Sequence, residues 1–126
     1  SRGLGDVYKR QQYGHRMGDL VLQRFADVTQ RHLTNQDFAA RLGGEEFMLV
    51  LPVSDPQEAR NLVEGILMGM RSQRFKDAPG LMVTVSGGLA MLNHGETPAQ
   101  LIRRADQALY RAKETGRDRL IVGEKE

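Results

Sequence analysis

The chain has 126 residues, 40% of them hydrophobic and 27% charged, with a formal net charge of +2. Such a chain forms one globular domain with a single core, and it is neither disordered nor long enough for two domains. The near-neutral charge, the low aromatic content and the absence of Trp argue against a nucleic-acid-coating protein. A helix that crosses a bilayer needs about 20 consecutive apolar residues, and no run in this chain approaches that length. No membrane contact is therefore expected of this domain.

The first predicted helix runs from Asp19 to about Leu33. Apolar residues recur there every three or four positions, which is the spacing of a helix with one buried face. The residues of that face are Leu22, Phe25, Ala26, Thr29 and Leu33. By its position alone, Asp19 is a first-turn acid that stabilises its own helix.

Residues 41–51 predict two strands joined by a tight turn. Gly43 and Gly44 supply the positive φ that such turns need and leave the backbone open to a ligand. The adjacent carboxylates of Glu45 and Glu46 make a seat for Mg²⁺ and a nucleoside triphosphate. On turn chemistry alone, a solvated hairpin tip is the simpler interpretation. The apolar run Phe47–Leu51 predicts a strand buried on both faces.

The second half of the chain predicts two capped helices and two further strands. One helix runs from Pro56 to about Arg71 with Asp55 as its N-cap, and the other begins with a capping box at Thr97 and stops at Gly116. Their predicted apolar faces are Ala59, Leu62, Val63, Ile66, Leu67 and Met70, and Leu101, Ile102, Ala105, Ala108, Leu109 and Ala112. Strands are predicted at 81–92 and 120–122. This order indicates an α/β sandwich with helices packed on a mixed sheet.

Four motifs resemble the GGDEF domain of diguanylate cyclases in its Gly-Gly-Glu-Glu-Phe variant. The hairpin carries the first, and a Gly-His-x-x-Gly-Asp segment precedes it at 14–19. A Ser-x-Gly-containing strand lies at 85–90, and an Ala-Asp-x-Ala-Leu-Tyr-x-Ala-Lys-x-x-Gly-Arg helix lies at 105–117. The resemblance covers nearly the whole chain from about residue 13, so a partial GGDEF domain is assigned to residues 12–126.

The resemblance implies a nucleotidyl-cyclase-like fold that condenses two GTP into cyclic di-GMP and two pyrophosphates, with Mg²⁺ or Mn²⁺ as cofactor. The resemblance implies that Glu45 binds the metal and takes part in catalysis, and that Glu46 lies in the same acidic cluster. It implies that Gly43 and Gly44 let the hairpin backbone approach the nucleotide. It further implies that Asp19 recognises the guanine edge and that Lys113 and Arg117 bind the β- and γ-phosphates. Lys113 and Arg117 are four residues apart, so they are expected on one helix face. By position alone, both also complement the negative end of the helix dipole.

The sequence departs from the family at two places. Residues 1–11 read as a non-family leader, with Arg10 and Gln11 where the family has Asn and Asp, so the first central strand and one metal ligand are expected to be missing or replaced. This chain alone is therefore expected to be weakly active or inactive. The family's product-inhibition motif, Arg-x-x-Asp, retains Asp37, but Thr34 replaces the arginine and cannot supply its bidentate contacts. We expect no functional inhibitory site.

The implied partners are GTP, a second GGDEF domain and an upstream sensor or dimerisation domain in a bacterial, cytoplasmic or membrane-anchored parent protein. The alternative is a non-catalytic GTP-binding or protein-interaction module of the same fold. A nucleic-acid-binding domain has only the basic pI of 9.2 in its favour. His15, His32 and His94 lack ligand spacing and are taken as structural or solvated, and Tyr110 is taken as a core residue.

Overall fold

The computed structural model describes residues 15–124, so the predicted leader and the start of the Gly-His motif lie outside the described residues. Three helices and four strands follow in chain order. They are α1 (His15–His32), β1 (Phe38–Gly43), β2 (Glu46–Val50), α2 (Pro56–Arg71), β3 (Gly87–Leu89), α3 (Pro98–Glu114) and β4 (Leu120–Val122). The mixed α/β class predicted from the sequence is confirmed.

Helix α1 begins four residues before the predicted start. Asp19 therefore lies in the second turn, exposed to solvent, and the first turn contains no acidic residue. The interpretation of Asp19 as a first-turn acid is wrong, because that position is too far from the exposed N–H groups of the helix end. The predicted buried face is confirmed at Leu22, Phe25 and Thr29. Ala26 is exposed instead of buried, and Val21 and Val28 belong to the core without having been predicted there.

Helix α2 confirms its predicted bounds and its cap. The side chain of Asp55 accepts a hydrogen bond from the backbone N–H of Gln57 at 3.0 Å, and Pro56 occupies the first helical position. Two glycines on this helix, Gly65 and Gly69, allow α1 to pack closely. A Cβ at Gly65 would lie 2.8 Å from Nε2 of His32, and one at Gly69 would lie 2.7 Å from Cγ1 of Val28.

The core lies between the helices and the strands. Its buried members come from α1, α2, the segment 75–85 and the start of β4, and they include Phe25, Ile66, Met70, Phe75, Val83, Val85 and Leu120. Phe47 and Leu49 of β2 pack against this cluster from one side only. The expectation that Phe47–Leu51 would be buried on both faces is wrong, since these residues are half-buried and Val50 is exposed.

The described residues form two separate two-stranded sheets. Strands β1 and β2 pair antiparallel with Phe38 opposite Val50, and β3 pairs parallel with β4 with Gly88 opposite Ile121. The strand predicted over 81–92 is assigned only at Gly87–Leu89, although Val83 and Val85 are buried as the alternation predicted. None of the helices in the described range is long and apolar enough to cross a membrane.

Helix α3 confirms the capping box, in which Thr97 and Gln100 bond each other's backbone N–H groups. Its predicted buried face is confirmed at Ala108 and Ala112 but not throughout. Ile102 is 50% exposed and Tyr110 is 64% exposed, so neither is a core residue. Tyr110 instead donates a hydrogen bond to Glu114, which raises the pKa of Tyr110.

Arg104 takes a buried place on α3, where it is 9% exposed. Its guanidinium donates to both carboxylate oxygens of Glu96 at 2.7 Å and to the carbonyls of Met91 and Glu124. Glu96 also accepts the backbone N–H of Asn93. These bonds lower the pKa of Glu96 to about 2, with the hydrogen bond from Arg104 as the main cause. The ion pair thus ties the loop before α3 to the segment after β4.

Candidate active site

The hairpin β1–β2 fixes the backbone that carries the two adjacent carboxylates. Gly44 and Glu45 form the turn, with φ of +140° at Gly43 and +51° at Gly44. A positive φ at the first central position is the geometry that selects glycine in two-residue hairpin turns. A Cβ at either glycine would meet no atom of residues 15–124 within 4 Å. The prediction of a glycine turn is confirmed, and the space beside its backbone is open.

Arg41 holds this turn from the preceding strand. Its Nε and Nη2 both donate to the carbonyl oxygen of Gly44, at 2.9 and 2.6 Å. One residue after the carboxylates, the ring of Phe47 packs on Phe25 of α1 with 4.7 Å between ring centroids. The turn is therefore anchored on both sides, by a charge-assisted fork and by an aromatic contact with the core. Glu45 and Glu46 lie between these anchors and are half-buried.

The oxygen donors of the hairpin suit a hard divalent cation. Within residues 15–124, no group of three or more His, Asp or Glu side chains is placed to hold a metal ion. Glu45 and Glu46 supply one or two carboxylates, which is the protein share of a Mg²⁺ site whose other ligands are waters and phosphate oxygens. The residues present therefore fit a metal that binds together with a triphosphate.

The candidate phosphate ligands lie at and just beyond the C-terminal end of α3. Lys113 is half-buried in the last turn of α3, whereas Arg117 is exposed and lies three residues beyond the helix end. Gly116, with φ of +121°, ends the helix as predicted, and the N–H of Arg117 donates to the carbonyl of Ala112 at 2.9 Å. The expectation that Lys113 and Arg117 share one helix face is wrong, because the chain reverses its backbone twist between them.

The parts of the candidate site come from three different places in the fold. Asp19 is exposed on α1, the carboxylates are on the hairpin, and the two cations follow α3. The backbones of β1 and β2 make no close approach to that of α3.

The retained acid of the inhibitory motif is engaged locally. The Oδ2 atom of Asp37 accepts the backbone N–H of Thr34 at 2.7 Å and the Thr34 hydroxyl at 3.2 Å. The threonine that replaces arginine thus forms a short turn with the aspartate in front of β1. Of the three histidines, His94 is exposed, His32 is half-buried with Nδ1 3.0 Å from the carbonyl of Val28, and the side chain of His15 is outside the described part.

Two contacts near the candidate site were not predicted from the sequence. Arg41 could have been noticed, since a charged residue in an otherwise apolar strand next to a glycine turn often bonds the turn. The ion pair between Arg71 and Asp118, with 2.7 Å between Nε and Oδ1, joins residues 47 positions apart. No local pattern points to it, because it depends on how α2 packs beside the segment that leads into β4.

Comparison with known proteins identifies the family. The family model described as "Diguanylate cyclase, GGDEF domain" matches residues 8–119. The chain is 40% identical to diguanylate cyclase DgcP of Pseudomonas aeruginosa over 121 residues, which is 93% of this chain and 18% of that protein. It is 36% identical to the response regulator PleD of Caulobacter vibrioides, over 86% of this chain and 25% of that protein.

Solved structures give the same answer for the fold. The active GGEEF domain of a diguanylate cyclase from Vibrio cholerae superposes with a TM-score of 0.87 at 34% identity, covering 96% of this chain and 79% of that one. The GGDEF domain of DgcB from Caulobacter crescentus, solved in complex with c-di-GMP, gives a TM-score of 0.85 at 32% identity, covering 92% and 70%. The chain spans about a fifth to a third of the length of the curated relatives it matches. It belongs to the GGDEF domain family of diguanylate cyclases.

Proposed function

We propose that this chain is the catalytic domain of a diguanylate cyclase, which condenses two GTP into cyclic di-GMP and releases two pyrophosphates. The observation that carries the proposal is the hairpin tip, where Arg41 and Phe47 hold a glycine turn with two half-buried carboxylates. Family membership supplies the reaction class.

In this proposal, Glu45 and Glu46 hold Mg²⁺ or Mn²⁺ together with the triphosphate. The chemistry that such an ion supplies is stabilisation of charge on the α-phosphate and a lower pKa for the attacking 3′-hydroxyl. Gly43 and Gly44 let the nucleotide approach the turn, because no side chain covers their backbone. Asp19 accepts hydrogen bonds from the guanine edge, and Lys113 and Arg117 bind the β- and γ-phosphates.

Cyclisation joins two nucleotides, so we propose that two copies of the domain face each other with one GTP each. The longer relatives are consistent with an upstream sensor or dimerisation domain in the parent protein, acting in the bacterial cytoplasm. We also propose that product inhibition through Asp37 is absent. The carboxylate is already bonded to Thr34, and no arginine is available there for bidentate binding.

The test is GTP turnover with Mg²⁺ at high protein concentration, in this chain and in its full-length parent, with cyclic di-GMP quantified and GTP affinity measured by calorimetry. Glu45→Gln should remove turnover and weaken Mg²⁺-dependent GTP binding by about tenfold or more. Glu58→Gln, which changes an exposed carboxylate on α2, is the matched control and should alter neither. Cyclic di-GMP production by Glu45→Gln at the wild-type rate would contradict the proposal. GTP binding without turnover, in this chain and in its full-length parent, would favour the non-catalytic module.

A further inference from the structure

The segment between α3 and β4 has an unusual backbone. Gly116, Arg117 and Asp118 are consecutive residues with positive φ, at +121°, +63° and +49°. Side chains other than glycine enter this region at a cost, and a strained pair of this kind persists only where the surrounding structure holds it. A sharp helix stop alone requires only the glycine.

Hydrogen bonds fix both backbone groups of Arg117. Its N–H donates to the carbonyl of Ala112, and its carbonyl accepts the Nε–H of Arg119, each at 2.9 Å. The carbonyl of Arg119 in turn accepts the N–H of Gly87, which joins the end of the segment to β3. The backbone of Arg117 is thus held on both sides. Within residues 15–124, its guanidinium makes no hydrogen bond and is exposed.

An ion pair with α2 holds the next residue, Asp118. Nε of Arg71, the last residue of α2, donates to Oδ1 of Asp118 at 2.7 Å, and both side chains are about two-thirds buried. Asp tolerates the left-handed conformation better than most residues. The contact therefore joins a strained position next to Arg117 to the rigid end of a long helix.

We infer that Arg71 and Asp118 are positioning residues that hold Arg117 ready for the triphosphate of the nucleotide. This inference rests on the proposed function, in which Arg117 binds phosphate. An arginine whose backbone is already ordered loses less conformational entropy on binding than one on a mobile segment. The fixed backbone and the exposed guanidinium suit a residue that is positioned to bind an anion before the substrate arrives.

The competing explanation is that the Arg71–Asp118 pair only stabilises the fold, by fastening α2 to the connection before β4. That explanation predicts a lower melting temperature in Arg71→Ala with unchanged GTP affinity. The positioning role predicts that the effect on GTP affinity passes through Arg117, which a double-mutant cycle measures directly.

The experiment measures the dissociation constant of GTP with Mg²⁺ by calorimetry for the wild-type chain, Arg71→Ala, Arg117→Ala and the double variant. We expect Arg117→Ala to weaken GTP binding about tenfold or more, and Arg71→Ala to weaken it about threefold to fivefold. In the Arg117→Ala background, Arg71→Ala should have no further effect. Asp118→Asn, which keeps an acceptor and tolerates the left-handed region, should retain most of the affinity that Asp118→Ala loses.

Arg74→Ala is the matched control, because this exposed arginine near the same helix end donates, within residues 15–124, only to the carbonyls of Arg71 and Gln73. It should leave GTP affinity unchanged. Two results would overturn the inference alone: wild-type affinity in Arg71→Ala, or an equal loss from Arg71→Ala with and without Arg117. If the wild-type chain and its full-length parent do not bind GTP, the proposed function fails and this inference fails with it.

Discussion

We expect Gly88→Ala, which adds a single methyl group, to lower the free energy of unfolding strongly. This residue of β3 lies directly on the backbone of α3. A Cβ built there would be 2.2 Å from the carbonyl oxygen of Ala105 and 2.3 Å from the amide nitrogen of Leu109. Ordinary contacts begin near 3.4 Å, so the strand and the helix would have to separate by roughly 1 Å. Neither neighbour is a flexible side chain that could turn away.

The expected cost of Gly88→Ala follows from this geometry. Overpacking against rigid neighbours costs about 3 kcal/mol, and the lower entropy of the unfolded chain returns less than about 1 kcal/mol. The net loss of about 2 to 3 kcal/mol corresponds to a melting temperature lower by about 10 °C for a domain of this size. Urea unfolding followed by circular dichroism measures the loss.

Gly87→Ala is the control, because it is the neighbouring glycine of the same strand and faces the other way. Its Cβ would be 3.3 Å from Cδ1 of Leu120 and 3.6 Å from Cγ1 of Val63, which are side-chain methyl groups and not backbone atoms. The free energy of unfolding of Gly87→Ala should be within about 1 kcal/mol of the wild-type value. A Gly88→Ala variant as stable as Gly87→Ala would refute the reasoning that backbone contact between β3 and α3 leaves no room.

Three further predictions concern stability. Glu96 has its pKa lowered from 4.5 to about 2, so its contribution is complete above pH 4.5 and is lost as pH falls toward 2; the stability gap between wild type and Glu96→Gln in urea should narrow across that window. Gly65→Ala should destabilise by about 1 to 2 kcal/mol against the ring of His32 but become neutral or stabilising in a His32→Ala background, and the same sign in both backgrounds would contradict this. Thr97→Ala should cost about 1 kcal/mol by thermal unfolding through loss of the capping box, whereas no change would show that the cap is dispensable.

The local signals in the sequence determined the elements and the turn that carries the carboxylates. Asp55 and Thr97 mark the starts of α2 and α3 because short polar side chains bond the free N–H groups of a helix end within a few residues. Gly43 and Gly44 mark the hairpin because few other residues adopt its backbone angles. Capping and turn geometry involve only neighbours in the chain, so their residues can be read without the fold.

Packing between distant segments decided which sides of those elements are buried. On α3, apolar spacing predicted Ile102 as a core residue, whereas Arg104 is buried because Glu96 and two carbonyls satisfy its guanidinium. The sequence of β3 likewise does not show that Gly88 lies against the backbone of α3, which leaves no room for a Cβ at that position.

The candidate site shows the same division. The sequence motifs identified Glu45 and Arg117 as candidates. Helical spacing then predicted Arg117 on a face of α3, whereas that helix ends at Glu114, before Arg117. Its actual position depends on a left-handed bend held by Asp118 and by Arg71, 47 residues earlier. Periodicity describes one element at a time. The position of a side chain beyond the end of an element is set by contacts with others, and these exist only once the chain has folded.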